Sequence, residues 1–177
     1  AGIAVADTGL KQTKVYKCAG RVKDLRAICE SEKLITECGI GHTRWATHGE
    51  PSKVNAHPHL SMNGRIAVIH NGIIENYKKL KDFLISEHGI SFESETDTEV
   101  IAHMIDLYYR DGRDLLHAVK RVVDQLEGAY ALGVISKEEP DKIVAVRKDS
   151  PLIIGSGKSE NFLASDVPAL IKYTRDV

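Results

Sequence analysis

The sequence is poor in cysteine and lacks any long apolar run. Its 177 residues include three cysteines, Cys18, Cys29 and Cys38, with no CxxC pair among them. A disulfide framework or a zinc ribbon needs paired cysteines, so these three are predicted to be reduced thiols of a cytoplasmic protein. No stretch approaches the ~18 apolar residues of a membrane span, and no signal peptide is expected at the start. The sequence therefore predicts no membrane association.

Neither sign of charge dominates the chain. The 24 Lys and Arg residues nearly balance the 25 Asp and Glu residues, and the formal net charge is −1. This balance argues against a nucleic-acid or membrane-surface partner. No GxGxxG follows a predicted strand and no Walker loop occurs, so a doubly wound nucleotide-binding fold is disfavoured. The apolar share of 42% is enough to bury the core of one domain.

Hydrophobic periodicity predicts a mixture of helices and strands. Apolar residues spaced three and four apart predict helices at residues 24–32, 77–87, 98–109 and 115–126. Short apolar runs predict strands at residues 1–6, 66–69, 129–135, 143–147, 152–154 and 162–164. These strands and helices together indicate an α+β layered domain. The helix at 115–126 is predicted to turn inward the side chains of Leu115, Leu116, Val119, Val122, Val123 and Leu126.

Three polar segments, residues 41–49, 70–76 and 94–99, adjoin these apolar runs. In the first segment, the guanidinium group of Arg44 is a planar set of donors that suits a carboxylate or a phosphate. Thr47 and His48 come within reach of the same site if the chain turns there. The alternative for Arg44 is a structural ion pair.

The other two segments offer a pair of donors and a carboxylate. The amide of Asn71 and the backbone N–H of Gly72 could form an oxyanion hole, because glycine allows close approach. The alternative is a hairpin turn, for which Asn-Gly is the strongest short signal. Asp97 could hold a substrate ammonium group, and its alternative role is a helix N-cap.

Histidines are concentrated in the first half of the chain, at His42, His48, His57, His59 and His70. The pair His57 and His59 could chelate a metal ion, which makes a metal-dependent hydrolase the rival interpretation. No HExxH motif occurs, and Pro58 stiffens the pair. The favoured interpretation therefore includes no metal and no cofactor.

One guanidinium, one carboxylate and one pair of donors match the polar outline of glutamine. The strings HTRWATHGEP (42–51), NAHPH (55–59), HNGIIEN (70–76) and SETDTEV (94–100) closely resemble the glutaminase domain of the glutamine–fructose-6-phosphate aminotransferases (isomerizing). These enzymes, also called glucosamine-6-phosphate synthases, are class II glutamine amidotransferases. LEGAYA (126–131) and ENFLASD (160–166) resemble them too, so the likeness covers residues 1–177. The segment at 45–48 favours this sugar branch over the phosphoribosyl-pyrophosphate amidotransferases, asparagine synthetases and glutamate synthases.

The resemblance implies a fold and a role for each site residue. The fold would be a four-layer αββα N-terminal nucleophile hydrolase. Arg44 would bind the α-carboxylate of glutamine and Asp97 its α-ammonium group, while Asn71 and Gly72 would form the oxyanion hole. Thr47 and His48 would line the same pocket. Trp45 would lie near the passage that carries ammonia.

The chain departs from this family at its nucleophile. In the family the first residue is a cysteine whose own α-amino group is the base, whereas residue 1 here is Ala1. The family's first strand and helix and its isomerase domain are also absent. Residues 1–177 are therefore expected to be a glutaminase domain truncated at both ends. The chain is expected to be inactive by itself, or alternatively a non-catalytic module that binds L-glutamine. The parent enzyme is expected to be a cytoplasmic homodimer.

Overall fold

The first sheet has three antiparallel strands. The computed structural model describes residues 1–32, 36–44, 50–110 and 114–177. With elements numbered in chain order, β1 (Gly2–Asp7) lies between β2 (Gln12–Lys17) and β3 (Thr36–His42). The helix α1 (Val22–Glu30) follows β2 in the chain and packs against it.

The second sheet is antiparallel and carries the helices. Its order is β4 (His59–Leu60), β5 (Ile66–Ile74), β6 (Gly128–Ser136) and β7 (Glu139–Lys148). Between β5 and β6 the chain forms α2 (Tyr77–His88), α3 (Asp97–Tyr109) and α4 (Leu115–Val123). A two-stranded ribbon, β8 (Ile153–Ser156) and β9 (Asn161–Ala164), precedes a short 3-10 helix at Val167–Ala169. No described helix is long and apolar enough to cross a membrane.

Strand β5 is buried on both faces, and this sets the layer order. Successive side chains of a strand point to opposite faces of its sheet. Ile66 and Val68 belong to the core that includes helices α2 to α4, whereas Ala67 packs with Ala4 and Ile40 of the first sheet. The layers are therefore helices α2–α4, the second sheet, the first sheet and α1, which is the αββα arrangement that the resemblance predicts.

The strand predicted at 66–69 extends to Ile74. Strand β6 continues to pair along its whole length, with Asn71 opposite Ala131 and Gly72 opposite Tyr130. Gly72 is accommodated within the strand at φ +119°. The hairpin-turn alternative for Asn71 and Gly72 is therefore wrong, because both residues lie inside a paired strand.

Two other expectations differ from the structure. Leu116 is 65% exposed, because α4 buries a narrower stripe that includes Leu115, Val119 and Val122. Helix α4 also ends at Val123 rather than at 126. Strands β2 and β3 were not predicted, since β2 is polar at alternate positions and β3 contains two glycines.

Candidate functional site

Four of the predicted site residues line a single cavity. It has a volume of about 300 Å³, and its walls include Arg44, Asn71, Gly72 and Asp97. These residues come from the chain just after β3, from the second half of β5 and from the first turn of α3. Trp45, Thr47 and His48 lie outside the described residues. A larger cavity of about 430 Å³, near Lys17 and His103, shares no lining residue with this one and contains none of the predicted site residues.

Arg44 follows β3 and lines the cavity. One guanidinium nitrogen, Nη1, donates to the backbone carbonyl of Glu50 at 3.1 Å. Asn55 donates to the same carbonyl oxygen through Nδ2, also at 3.1 Å. This bond holds the guanidinium group at the cavity, where a positive charge suits an anionic ligand.

Asn71 and Gly72 reach the cavity from β5. The Oδ1 atom of Asn71 lies 2.7 Å from Nε2 of His42, across the gap between the two sheets. A Cβ atom on Gly72 would collide with the carbonyl oxygen of Ala129 and crowd Cα of Tyr130. Glycine is therefore required at position 72, both by its positive φ and by the close approach of β6.

Asp97 is the first residue of α3 and is only 5% exposed. Its Oδ2 atom accepts the backbone N–H of Ile74 at 2.9 Å, and its Oδ1 atom accepts the hydroxyl of Thr98 at 3.4 Å. Thr96 occupies the N-cap position, so the N-cap alternative for Asp97 is wrong. A carboxylate at this end of a helix is stabilised by the helix dipole.

Two buried histidines that line the cavity meet at one hydroxyl group. Thr98 Oγ1 lies 2.6 Å from Nε2 of His57 and 3.1 Å from Nδ1 of His70. His59 is hydrogen bonded to a different residue, with its Nε2 atom 3.1 Å from Oγ1 of Thr96. Burial lowers the pKa of His57 far below its ordinary value and the pKa of His59 to about 3, so both rings are neutral.

This arrangement does not resemble a metal centre. The Nε2 atoms of His57 and His59 hydrogen bond to separate threonines, whereas a chelating pair directs its nitrogens at one point. No group of three His, Cys, Asp or Glu side chains within the described ranges is placed to hold an ion. The geometry therefore gives the metal-dependent alternative no support.

Glu99 fixes the loop that leads into Asp97. Its carboxylate accepts the backbone N–H groups of Glu93 at 2.8 Å and of Ser94 at 2.6 Å, and also the Ser94 hydroxyl. Burial alone would raise the pKa of Glu99, but the hydrogen bonds from His103 and Ser94 outweigh it and lower the pKa to about 2. The charged carboxylate therefore stabilises the folded state.

We expect Glu99→Gln to destabilise the protein in a pH-dependent manner. A lowered folded-state pKa gives stability that is fully present above the ordinary value of 4.5 and lost as the pH falls towards 2. The difference in melting temperature between wild type and variant should be largest above pH 5 and should shrink below it. Glu87→Gln, on an exposed part of α2, is the control. An equal difference at all pH values would contradict this account of Glu99.

Comparison with known proteins decides the family. The family described as "Glutamine amidotransferase domain" matches residues 42–172. The chain belongs to the glutamine amidotransferase family. Its relatives include the glutamine–fructose-6-phosphate aminotransferases (isomerizing) of Caldanaerobacter subterraneus subsp. tengcongensis and Clostridium tetani, which are 55% and 54% identical to it over all 177 residues. The chain spans 28% of the length of each of these relatives.

A solved amidotransferase structure shares the fold. It is the glutamine phosphoribosylpyrophosphate amidotransferase from B. subtilis, complexed with ADP and GMP. The TM-score is 0.78 at 28% identity, over 98% of this chain and 37% of that one. The predicted α+β N-terminal nucleophile hydrolase fold is therefore confirmed.

Sequence reasoning gave no individual role to two residues that contact the side chains lining this cavity. His42 lies within the polar segment 41–49, and Thr98 within the segment 94–99. Their contacts reach residues 29 and 41 positions away in the chain, at Asn71 and His57. The sequence showed only that each residue lies in a polar segment. Its long-range contacts could not be seen before the chain was folded.

Proposed function

We propose that this chain is the glutaminase domain of a glutamine–fructose-6-phosphate aminotransferase (isomerizing). That enzyme transfers the amide nitrogen of L-glutamine to fructose 6-phosphate, giving glucosamine 6-phosphate and glutamate. The half-reaction of this domain is amide hydrolysis through a cysteinyl thioester, and the ammonia passes to an isomerase domain of the same polypeptide. The proposal is carried by the convergence of Arg44, Asn71, Gly72 and Asp97 on one cavity.

The charges of the cavity match the backbone end of an amino acid. Arg44 binds the α-carboxylate and Asp97 the α-ammonium group, so a ligand with both charges is selected. The Asp97 carboxylate is held in place by the N–H of Ile74. Asn71 and Gly72 then lie at the side-chain end, where the tetrahedral oxyanion develops. By resemblance, Thr47 and His48 complete the pocket, and Trp45 adjoins the ammonia passage.

None of the three cysteines of the chain lines this cavity. Cys38 is buried and its Sγ donates to the carbonyl of Lys142 at 3.3 Å, and burial raises the pKa of its thiol to about 11. Burial also raises the pKa of Cys29, and Cys18 donates to the carbonyl of Arg21 at 3.6 Å. We propose that the nucleophile is an N-terminal cysteine outside residues 1–177.

Ammonia release and glutamine binding test this assignment together. The polypeptide of residues 1–177 should release no ammonia from glutamine above background, because it lacks both the nucleophile and its α-amino base. If residues 1–177 bind glutamine in calorimetry without hydrolysing it, the non-catalytic binding alternative describes the isolated chain. Ordinary turnover by residues 1–177 would refute the proposed nucleophile.

The acceptor of the nitrogen is assigned to the sugar branch on similarity. The chain is 55% identical to one fructose-6-phosphate aminotransferase but 28% identical to the phosphoribosylpyrophosphate amidotransferase. The test supplies glutamine labelled with ¹⁵N in its amide to the complete polypeptide, with fructose 6-phosphate. The label should appear in glucosamine 6-phosphate. Label in free ammonia alone would support the glutaminase reaction and reject this acceptor. By the same resemblance, the complete enzyme is proposed to be a cytoplasmic homodimer without a cofactor.

We expect Arg44→Ala in the complete polypeptide to act mainly on glutamine binding. Loss of a charge-assisted hydrogen bond costs roughly 1.5–3 kcal/mol, which corresponds to a KM about ten- to a hundredfold higher. Steady-state kinetics at varied glutamine concentration would measure it. Arg26→Ala is the matched control, because Arg26 is exposed and pairs only with Glu30 on α1 among its recorded contacts. An unchanged KM for glutamine in Arg44→Ala would show that Arg44 has a structural role and does not bind glutamine.

A further inference from the structure

The side chain of His42 contacts the carboxamide of Asn71 at the cavity wall. The two atoms, Nε2 of His42 and Oδ1 of Asn71, are 2.7 Å apart. We propose that His42 is a positioning residue that holds the Asn71 carboxamide in the one orientation that directs its NH₂ group into the cavity. The proposal rests on the proposed function, since it concerns how the oxyanion donor of that reaction is oriented.

The contact and the surroundings of the ring together favour one tautomer of His42. An amide oxygen can only accept a hydrogen bond, so the proton of this bond must lie on Nε2. Burial lowers the pKa of His42, so the neutral ring is favoured and carries a single proton. Nδ1 of His42 is buried and has no hydrogen-bond partner among the described residues, so nothing recorded there competes for that proton. The Nδ1–H tautomer would instead bury an N–H group that has no acceptor among the described residues, so the Nε2–H tautomer is favoured independently of the amide.

The same tautomer excludes the flipped amide. Rotating the Asn71 carboxamide by half a turn would place its NH₂ group against the Nε2–H group, donor facing donor, and the bond would be lost. The His42 ring is itself braced, because its centroid lies 4.5 Å from that of His57, which is hydrogen bonded to Thr98. With Oδ1 held by His42, the Nδ2 atom of Asn71 points away from the His42 ring.

Orientation matters because an oxyanion hole acts through donors that are already in place. A donor fixed before the reaction does not have to reorganise as charge develops. In a freely rotating amide, the Oδ1 lone pairs would face the developing oxyanion part of the time and repel it. Strand β3, which carries His42, thereby supports a donor that is carried by β5.

Substitution in the complete polypeptide tests this inference. We expect His42→Phe to lower kcat for glutamine hydrolysis about tenfold or more, up to the ~10²–10³ expected for complete loss of one oxyanion donor. The KM for glutamine should change far less than kcat, because the oxyanion forms only after attack. His42→Gln, whose NH₂ group can donate to Asn71 Oδ1, should recover part of kcat. His88→Phe, at the exposed end of α2, is the control for loss of an imidazole.

A double-mutant cycle separates positioning from a general structural effect. If His42 acts through Asn71, His42→Phe should cost nothing further in an Asn71→Ala background. An equal loss of kcat in both backgrounds would overturn the inference. Normal kcat in Asn71→Ala alone would overturn the proposed oxyanion role and this inference with it. Impaired Asn71→Ala with unimpaired His42→Phe would overturn the positioning role alone.

A spectroscopic measurement on the unmodified chain needs no activity and no folded variant. Long-range ¹H–¹⁵N correlation spectra of residues 1–177 report which ring nitrogen of each histidine carries the proton. We expect His42 as the neutral Nε2–H tautomer at pH 7. The Nδ1–H tautomer would overturn the inference, because such a ring cannot donate to Asn71 Oδ1.

Discussion

Replacing Asn71 with Ala in the complete polypeptide is expected to lower kcat for glutamine hydrolysis about 10²- to 10³-fold, or ~2.7–4 kcal/mol of barrier. The carboxamide of Asn71 lines the cavity and is anchored through Oδ1, so the substitution removes a fixed donor. The affinity for glutamine should change far less, because the oxyanion exists only after attack on the amide. Steady-state kinetics with direct detection of ammonia would measure both quantities.

Asn71→Asp is the sharper variant of the same experiment. It keeps the size of the side chain, and the new carboxylate can still accept the Nε2–H of His42. Its second oxygen would then face the developing oxyanion and repel it, so we expect a loss of kcat at least as large as in Asn71→Ala. The melting temperature should remain nearly unchanged in Asn71→Asp, because the contact with His42 is retained. Normal kcat in both variants would show that Asn71 has a structural role in β5 and does not stabilise the oxyanion.

The helices of the fold were predictable because they depend on local periodicity, whereas the order of the layers was predicted from the resemblance to the family. Helix α3 was expected at 98–109 and lies at Asp97–Tyr109, with Val100, Ile101, Met104 and Ile105 buried as their spacing predicts. Tyr108, also predicted to point inward, is only partly buried. The length of β5 was not predictable, because the strand signal stops at Ile69 and an Asn-Gly pair follows. Pairing with β6 overrides that local turn signal as far as Ile74. Strand β3, with Gly39 and Gly41, likewise depends on its neighbour β1 rather than on its own β-propensity.

The residues of the candidate site could be predicted from the sequence, but the hydrogen bonds that connect them could not. Arg44, Asn71 and Asp97 were identified by their chemistry and by resemblance to the family, and the structure brings them to one cavity. The roles of His42 and Thr98 could not be predicted in the same way. Each depends on a hydrogen bond between segments far apart in sequence, and a histidine in a polar segment has several plausible roles.

Gly72→Ala is expected to lower both stability and activity. At φ +119° a residue with a side chain is strained by roughly 1–3 kcal/mol. The new Cβ would also collide with the backbone of β6 at Ala129 and Tyr130, and such overpacking costs roughly a further 1–3 kcal/mol. For a chain of this size the melting temperature should fall by on the order of 10 °C.

The matched control for Gly72→Ala separates strain from collision. Gly64 also has a positive φ, +66°, but a Cβ atom there would meet nothing within 4 Å. Gly64→Ala should therefore show only the smaller cost of strain and leave kcat unchanged. In Gly72→Ala, the collision can be relieved only if β5 moves away from β6. This movement displaces the donors at positions 71 and 72 together. The kcat of the variant should therefore fall even at temperatures where it is still folded. Equal melting temperatures and equal kcat in the two alanine variants would show that close packing against β6 does not hold Gly72 in place.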